Sequence, residues 1–208
     1  MKFNRTAVDP VMGGKNSLQI VLLTTMLLFG SVPATLGGSQ LAQTEENMKA
    51  MGITVDSHEK NGITELTFND EGDNTKTLAA LMLLRQHDIV SRDVTETQTR
   101  RAPVFWASIV ATVLTAGYIQ AFYADSGKID RVKAIFNLRA ADDYGRVQNN
   151  RLFSFSFNRA LYKEIAWDNF RWDKFPKVAP QFELSEWAQK QMSEEQAGDE
   201  LKLPGSGD

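Results

Sequence analysis

The stretch that decides the fold is Ala102-Pro-Val-Phe-Trp-Ala-Ser-Ile-Val-Ala-Thr-Val-Leu-Thr-Ala-Gly-Tyr-Ile-Gln-Ala-Phe-Tyr123, which runs for 22 residues without a charge. As a helix it is about 33 Å long, enough to cross a hydrocarbon layer of about 30 Å. Phe105 and Trp106 lie near one end and Tyr118, Phe122 and Tyr123 near the other, where the aromatic belts of membrane helices sit. Arg100 and Arg101 precede it, and Asp125, Lys128, Arg131 and Lys133 follow. The pattern predicts a transmembrane helix over 102–123. A second reading competes, the central helix or strand pair of a globular core, because Ser108, Thr112, Thr115 and Gln120 weaken the apolar signal and β-branched residues are frequent. In a span, the small Gly117 suits close helix contact and Gln120 faces protein rather than lipid, so these two are the expected helix-contact residues.

Working outward, residues 1–36 place Lys2, Arg5 and Lys15 ahead of an apolar run from Leu18 to Phe29, followed by Val32, Pro33 and Ala34. Basic flank, short apolar core and small residues are the parts of an export signal, with Val32 and Ala34 at the spacing of a cleavage site. An uncleaved anchor and a buried helix are the other readings of this segment. The basic residues within about 20 positions of 102–123 are balanced, four on each side, so the first segment sets the orientation. Its basic flank stays cytoplasmic, 37–101 lies outside, and 124–208 returns to the cytoplasm.

Between the two apolar segments, Ile53–Val55 and Ile63–Phe68 alternate about the turn pair Asn61-Gly62, a hairpin signal. Asp73 or Asn74 can cap a helix over about 75–90, which completes a ββα unit too small to be stable alone. Beyond 123, Ile129, Val132, Ile135 and Phe136 share a helical face with basic residues around it, and the stretch reads as amphipathic helix. Phe153, Phe155 and Phe157 share one face of a strand. Residues 161–175 interleave aromatic and basic side chains, and Trp167, Phe170, Arg171 and Trp172 are the candidate partner-docking residues. Core packing, membrane-interface contact and single-stranded nucleic-acid binding compete with docking here, nucleic acid being the weakest. Leu184, Trp187, Ala188 and Met192 mark a short amphipathic helix, and 193–208 reads as a flexible acidic tail.

Net charge is −3 but unevenly spread, with +5 over 128–177 and −5 over 178–208, so different surfaces face different surroundings. The chain has no cysteine, which excludes disulfides, thiolate metal sites and a cysteine nucleophile. Its two histidines, His58 and His87, show no metal-ligand spacing, and no phosphate-binding loop, nucleophile elbow or dinucleotide fingerprint appears. No catalytic residue, metal or cofactor is expected.

These readings converge on an α+β membrane-associated protein. Its parts are a signal peptide or signal anchor over 1–36, a small ββα extracytoplasmic region over 37–101, and a transmembrane helix over 102–123. A basic, aromatic-rich α/β domain follows over 124–192, then the tail. The expected function is that of a non-catalytic structural or accessory subunit of a multiprotein envelope assembly, its partners being membrane lipid and other protein subunits. The alternative is an exported soluble α+β binding module or small hydrolase with 102–123 as its core helix.

Overall fold

The computed structural model describes residues 39–72, 80–81, 103–141, 144–167, 170 and 174–200. The segment 1–36 and most of the helix expected over 75–90 lie outside these residues.

Helix α1 (Gln40–Ala50) begins at Ser39, whose hydroxyl accepts the Ala42 N–H at 3.1 Å. Strands β1 (Ile53–Lys60) and β2 (Ile63–Asp70) form the expected hairpin. Its turn residues Asn61 and Gly62 both have positive φ, 54° and 73°, the geometry that matches strand twist and that this residue pair adopts at low cost. Helix α2 (Pro103–Asp125) follows, then β3 (Arg131–Ala141) and β4 (Val147–Asn158). The chain ends with α3 (Arg159–Glu164), α4 (Phe175–Val178), the two-residue β5 (Glu183–Leu184) and α5 (Glu186–Glu200).

The five strands form one sheet in the order β1-β2-β3-β4-β5. All neighbours are antiparallel except β2 and β3, which run parallel over eight paired positions. A parallel pair needs a crossover connection, and α2 lies within it. One cross-strand row, Val55–Phe68–Phe136–Phe153–Leu184, traverses all five strands. Phe136 is stacked 6.0 Å from Phe68 and lies 5.4 Å from Phe153, so aromatic pairing as well as backbone hydrogen bonding sets the register. Next to this row a bulge separates Phe136 and Asn137, and both Leu152 and Phe153 of β4 turn into the core.

Helix α2 is buried almost all round from Val110 to Tyr123. Tyr118 meets Phe68 edge-on at 5.1 Å, Tyr123 meets Phe157 at 5.8 Å, and α1, α3, α4 and α5 all contact the helix. Neighbours on every side explain why a helix inside this fold carries no polar stripe.

The segments expected on opposite sides of a membrane meet in this fold. Residues 63–70, placed outside, hydrogen-bond to residues 131–138, placed inside, and strands separated by a bilayer cannot share a ladder. Helix α2 does have the length and composition to cross a membrane, a test that the core helix of a soluble protein also passes, and 72% of its most apolar stretch is buried inside the protein. The stretch read as amphipathic helix after 123 is strand β3. Val132, Ala134, Phe136 and Leu138 are buried at alternate positions, a period of two that Ile135 blurs in the sequence. Helix α5 runs on to Glu200, through much of the segment read as tail.

Candidate functional site

The sheet has two unlike faces. Strand alternation sends Leu66, Phe68, Val132, Ala134, Phe136, Phe155 and Phe157 under the helices. The intervening positions form an open, mostly polar face that includes Thr54, Asp56 and His58 on β1, Glu65, Thr67 and Asn69 on β2, Lys133, Asn137 and Arg139 on β3, and Asn149 and Ser156 on β4, with Ile63, Ile135 and Val147 as its apolar members.

Side-chain bonds cross this face from strand to strand. Asn137 Nδ2 donates to Asn69 Oδ1 at 2.9 Å, and Asn69 Nδ2 donates to Asp56 Oδ2 at 3.1 Å, a relay over β3, β2 and β1. Lys133 Nζ lies 3.1 Å from Glu65 Oε2, and Ser156 Oγ is 2.8 Å from Gln181 Oε1. Such bonds hold the polar side chains in place, so the face is ordered without a ligand.

At the carboxyl ends of β2 and β3 the face deepens into a cleft of about 330 Å³. Thr54, Asn69, Asp70 and Glu71 line one side, and Arg139, Val147, Gln148 and Asn149 line the other. Its first wall is fixed by turn chemistry. Asp70 Oδ1 accepts the Gly72 N–H at 2.9 Å, and the Glu71 N–H donates to the Gly52 carbonyl at 3.2 Å. Gly72 has φ +74°, and a Cβ there would sit 2.0 Å from the Arg139 carbonyl oxygen, so only glycine lets the chain leaving β2 pass this close to β3. Arg139 reaches Glu71 at 3.6 Å across the mouth. The β3–β4 arm extends past the end of β2 and carries Tyr144 at its tip, 84% exposed, with the Arg146 guanidinium 5.1 Å over its ring. Amides, one guanidinium and carboxylates around an open cleft, beside an exposed Tyr–Arg pair, are equipped to bind a polar partner surface.

The ends of α2 are tied to the fold by charged groups. Glu195 of α5 accepts the Val104 and Phe105 N–H groups at 2.8 and 3.1 Å, at the positive end of the helix dipole. Burial pushes the Glu195 carboxyl above its ordinary value, and the two backbone donors only partly offset this. At the other end the Arg159 guanidinium donates to the carbonyls of Tyr123, Ser126 and Ile129 and lies 5.1 Å over the Tyr123 ring. Asp125 Oδ2 accepts the Leu41 N–H at 2.7 Å, linking the end of α2 to the start of α1. Tyr118 donates to Glu45 Oε1 at 2.7 Å, and burial, with Glu45 beside it, raises the phenol's pKa.

Of the residues singled out in the sequence, Gly117 is buried within α2, and Gln120 has a buried Oε1 with no hydrogen-bond partner among the described residues. Trp167 and Phe170 come together at 5.6 Å but face inward. Trp167 donates its Nε1–H to the Tyr162 carbonyl at 2.9 Å and lies 6.3 Å from Phe157, and Phe170 lies 6.5 Å from Phe175. Arg171 and Trp172 lie outside the described residues, as does His87, while His58 is exposed on β1. The open face is hard to read in the sequence because its β3 residues, Arg131, Lys133, Asn137 and Arg139 with Ile135 among them, sit in the stretch read as helix. No protein family's sequence pattern matches the chain, and no characterised protein and no solved structure matches it.

Proposed function

We propose that the chain is an accessory binding subunit of an envelope assembly, carried across or held at the membrane by residues 1–36, with 103–125 as its core helix. The open polar face and its cleft, with Tyr144 and Arg146 beside them, take the docking role that the sequence suggests for Trp167, Phe170, Arg171 and Trp172. The parallel β2–β3 ladder supports the core-helix part of this reading, because strands on opposite sides of a bilayer could not pair along a ladder. The charged ties at both ends of α2 support it, since each joins a helix end to another element of the same sheet-and-helix body.

A chain without cysteine makes the test clean. Thr67 and Ile135 are paired on β2 and β3. In Thr67→Cys/Ile135→Cys full-length protein, expressed in cells, a short thiol-specific cross-linker should join the two positions within one chain. Carbonate extraction with intact-mass analysis then reports on residues 1–36. Release with loss of residues 1–34 means a cleaved signal, and retention at full mass means an anchor. Cysteines that fail to cross-link and that label from opposite sides of the membrane would overturn the reading and restore α2 as a span.

A further inference from the structure

Among the described residues, strand β1 ends the sheet, hydrogen-bonded to β2 on one side only. Five consecutive residues on it, Asp56-Ser-His-Glu-Lys60, are exposed. An edge strand carries a row of unsatisfied N–H and C=O groups that can template another strand, and proteins commonly place charges there to prevent it. Here the charges are self-complementary. We infer that β1 pairs antiparallel with β1 of a second copy, about a two-fold axis through His58.

The register follows from charge and pleat. With the axis at His58, Asp56 of each copy faces Lys60 of the other, so two opposite-charge pairs form on the open face and Ser57 faces Glu59 on the reverse. Cross-strand pairs of opposite charge are favourable and like charges directly opposite are not. Slipping the axis to midway between Ser57 and His58 sets Asp56 against Glu59. Any half-residue slip also joins the polar face of one copy to the helix-covered face of the other, because side chains alternate with period two. Whole-residue slips keep the faces together but lose the match. With the axis at Ser57, the half-buried Val55 meets Glu59, and with the axis at Glu59, His58 meets Lys60. Of these registers only the one at His58 pairs Asp56 with Lys60, leaving Glu59 opposite the neutral Ser57 and His58 opposite its own copy, and it sets the two polar faces side by side on one continuous sheet. This inference does not depend on what that face binds.

The test uses the full chain and charge reversal. Light scattering should give the mass of two chains. Asp56→Lys and Lys60→Asp each set like charges opposite one another twice, and each should weaken the dimer at least tenfold. The double variant Asp56→Lys/Lys60→Asp restores both pairs and should recover the dimer, which a merely misfolded variant cannot do. His58→Cys should cross-link to itself on mild oxidation, and Glu65→Cys on β2 should not. A single-chain mass at the highest attainable concentration would overturn the inference, as would a dimer that neither reversal weakens.

Discussion

The described residues contain two helix-then-hairpin units, α1–β1–β2 and α2–β3–β4, and they are built on different terms. The first has a helix of 11 residues, strands of eight and a two-residue turn, and its one fully buried aromatic ring in the described residues is Phe68. The second has a helix of 23 residues and strands of 11 and 12, and it supplies Tyr118, Tyr123, Phe136, Phe153, Phe155 and Phe157 to the core. The second unit therefore carries the core, and the first closes over it through the β2–β3 ladder and the α1–α2 contact. The difference is that the second unit's long apolar helix is enclosed by sheet and helices, with 72% of its most apolar stretch buried inside the protein.

The sharpest way to break this comparison is to hollow out each unit in turn. Phe136 is fully buried between Phe68 and Phe153, so Phe136→Ala should cost about 3–5 kcal/mol, removing apolar burial and leaving a cavity in a site held on both sides. Ile53→Ala, at the buried start of edge strand β1, should fall near the lower end of the range for such changes, about 2 kcal/mol, because an edge can relax into the space. Urea unfolding measures both. Native-state hydrogen exchange should show Ile53→Ala loosening β1 and β2 while β3 and β4 stay protected. Equal losses in all four strands would mean that the two units fold as one, and the contrast would fail.

The two ends of α2 give the next largest effect. Arg159→Met keeps much of the side-chain bulk but leaves three carbonyls without their charged donor, and it should cost about 2 kcal/mol. Glu195→Ala removes an acceptor from two helix N–H groups and should cost about 1 kcal/mol. Its pH dependence has a definite sign. Burial raises the Glu195 carboxyl pKa in the folded state, so the native protein holds that proton more tightly than the unfolded chain. The contribution of Glu195 is then complete below the unfolded-chain carboxyl value of about 4.3 and declines as pH rises through the raised folded value. The penalty of Glu195→Ala should thus be larger at acid pH than at neutrality. A penalty that grows toward neutrality would mean that the helix dipole and the two N–H donors outweigh burial.

The units were not equally legible in the sequence. The β1–β2 hairpin is readable because Asn61-Gly62 admits one kind of turn and the flanking alternation is clean. The face carrying Phe153, Phe155 and Phe157 is readable for the same reason. Strand β3 is not, since Ile135 and Phe136 side by side satisfy a helical face as well as a strand. Helix α2 is readable as a helix but not as to its solvent, because lipid and a closed protein interior demand the same residues. The contacts that hold its ends are tertiary: Glu195 meets Val104 from 91 positions away, and Arg159 meets Tyr123 from 36. The polar face is hidden for a related reason. Asn69, Asn137 and Arg139 are ordinary strand residues until a parallel pairing across some 60 residues of chain puts them on one surface.

The smallest effect tests whether that pairing is held by charge or by what lies beneath it. Glu65 and Lys133 face each other across β2 and β3 at 3.1 Å, and they are the one ion pair across this ladder among the described residues, with both side chains 40% or more exposed. An exposed pair gains little over solvated charges, so Glu65→Gln should cost below about 1 kcal/mol. A double-mutant cycle with Lys133→Met should give a coupling that falls further in 0.5 M salt, where the Debye length is only about 4 Å. The row beneath the pair, Phe68 against Phe136, is fully buried and independent of salt, and it sets the register. A coupling well above about 1 kcal/mol that survived salt would reverse that order and make the polar face itself the clamp between the two units.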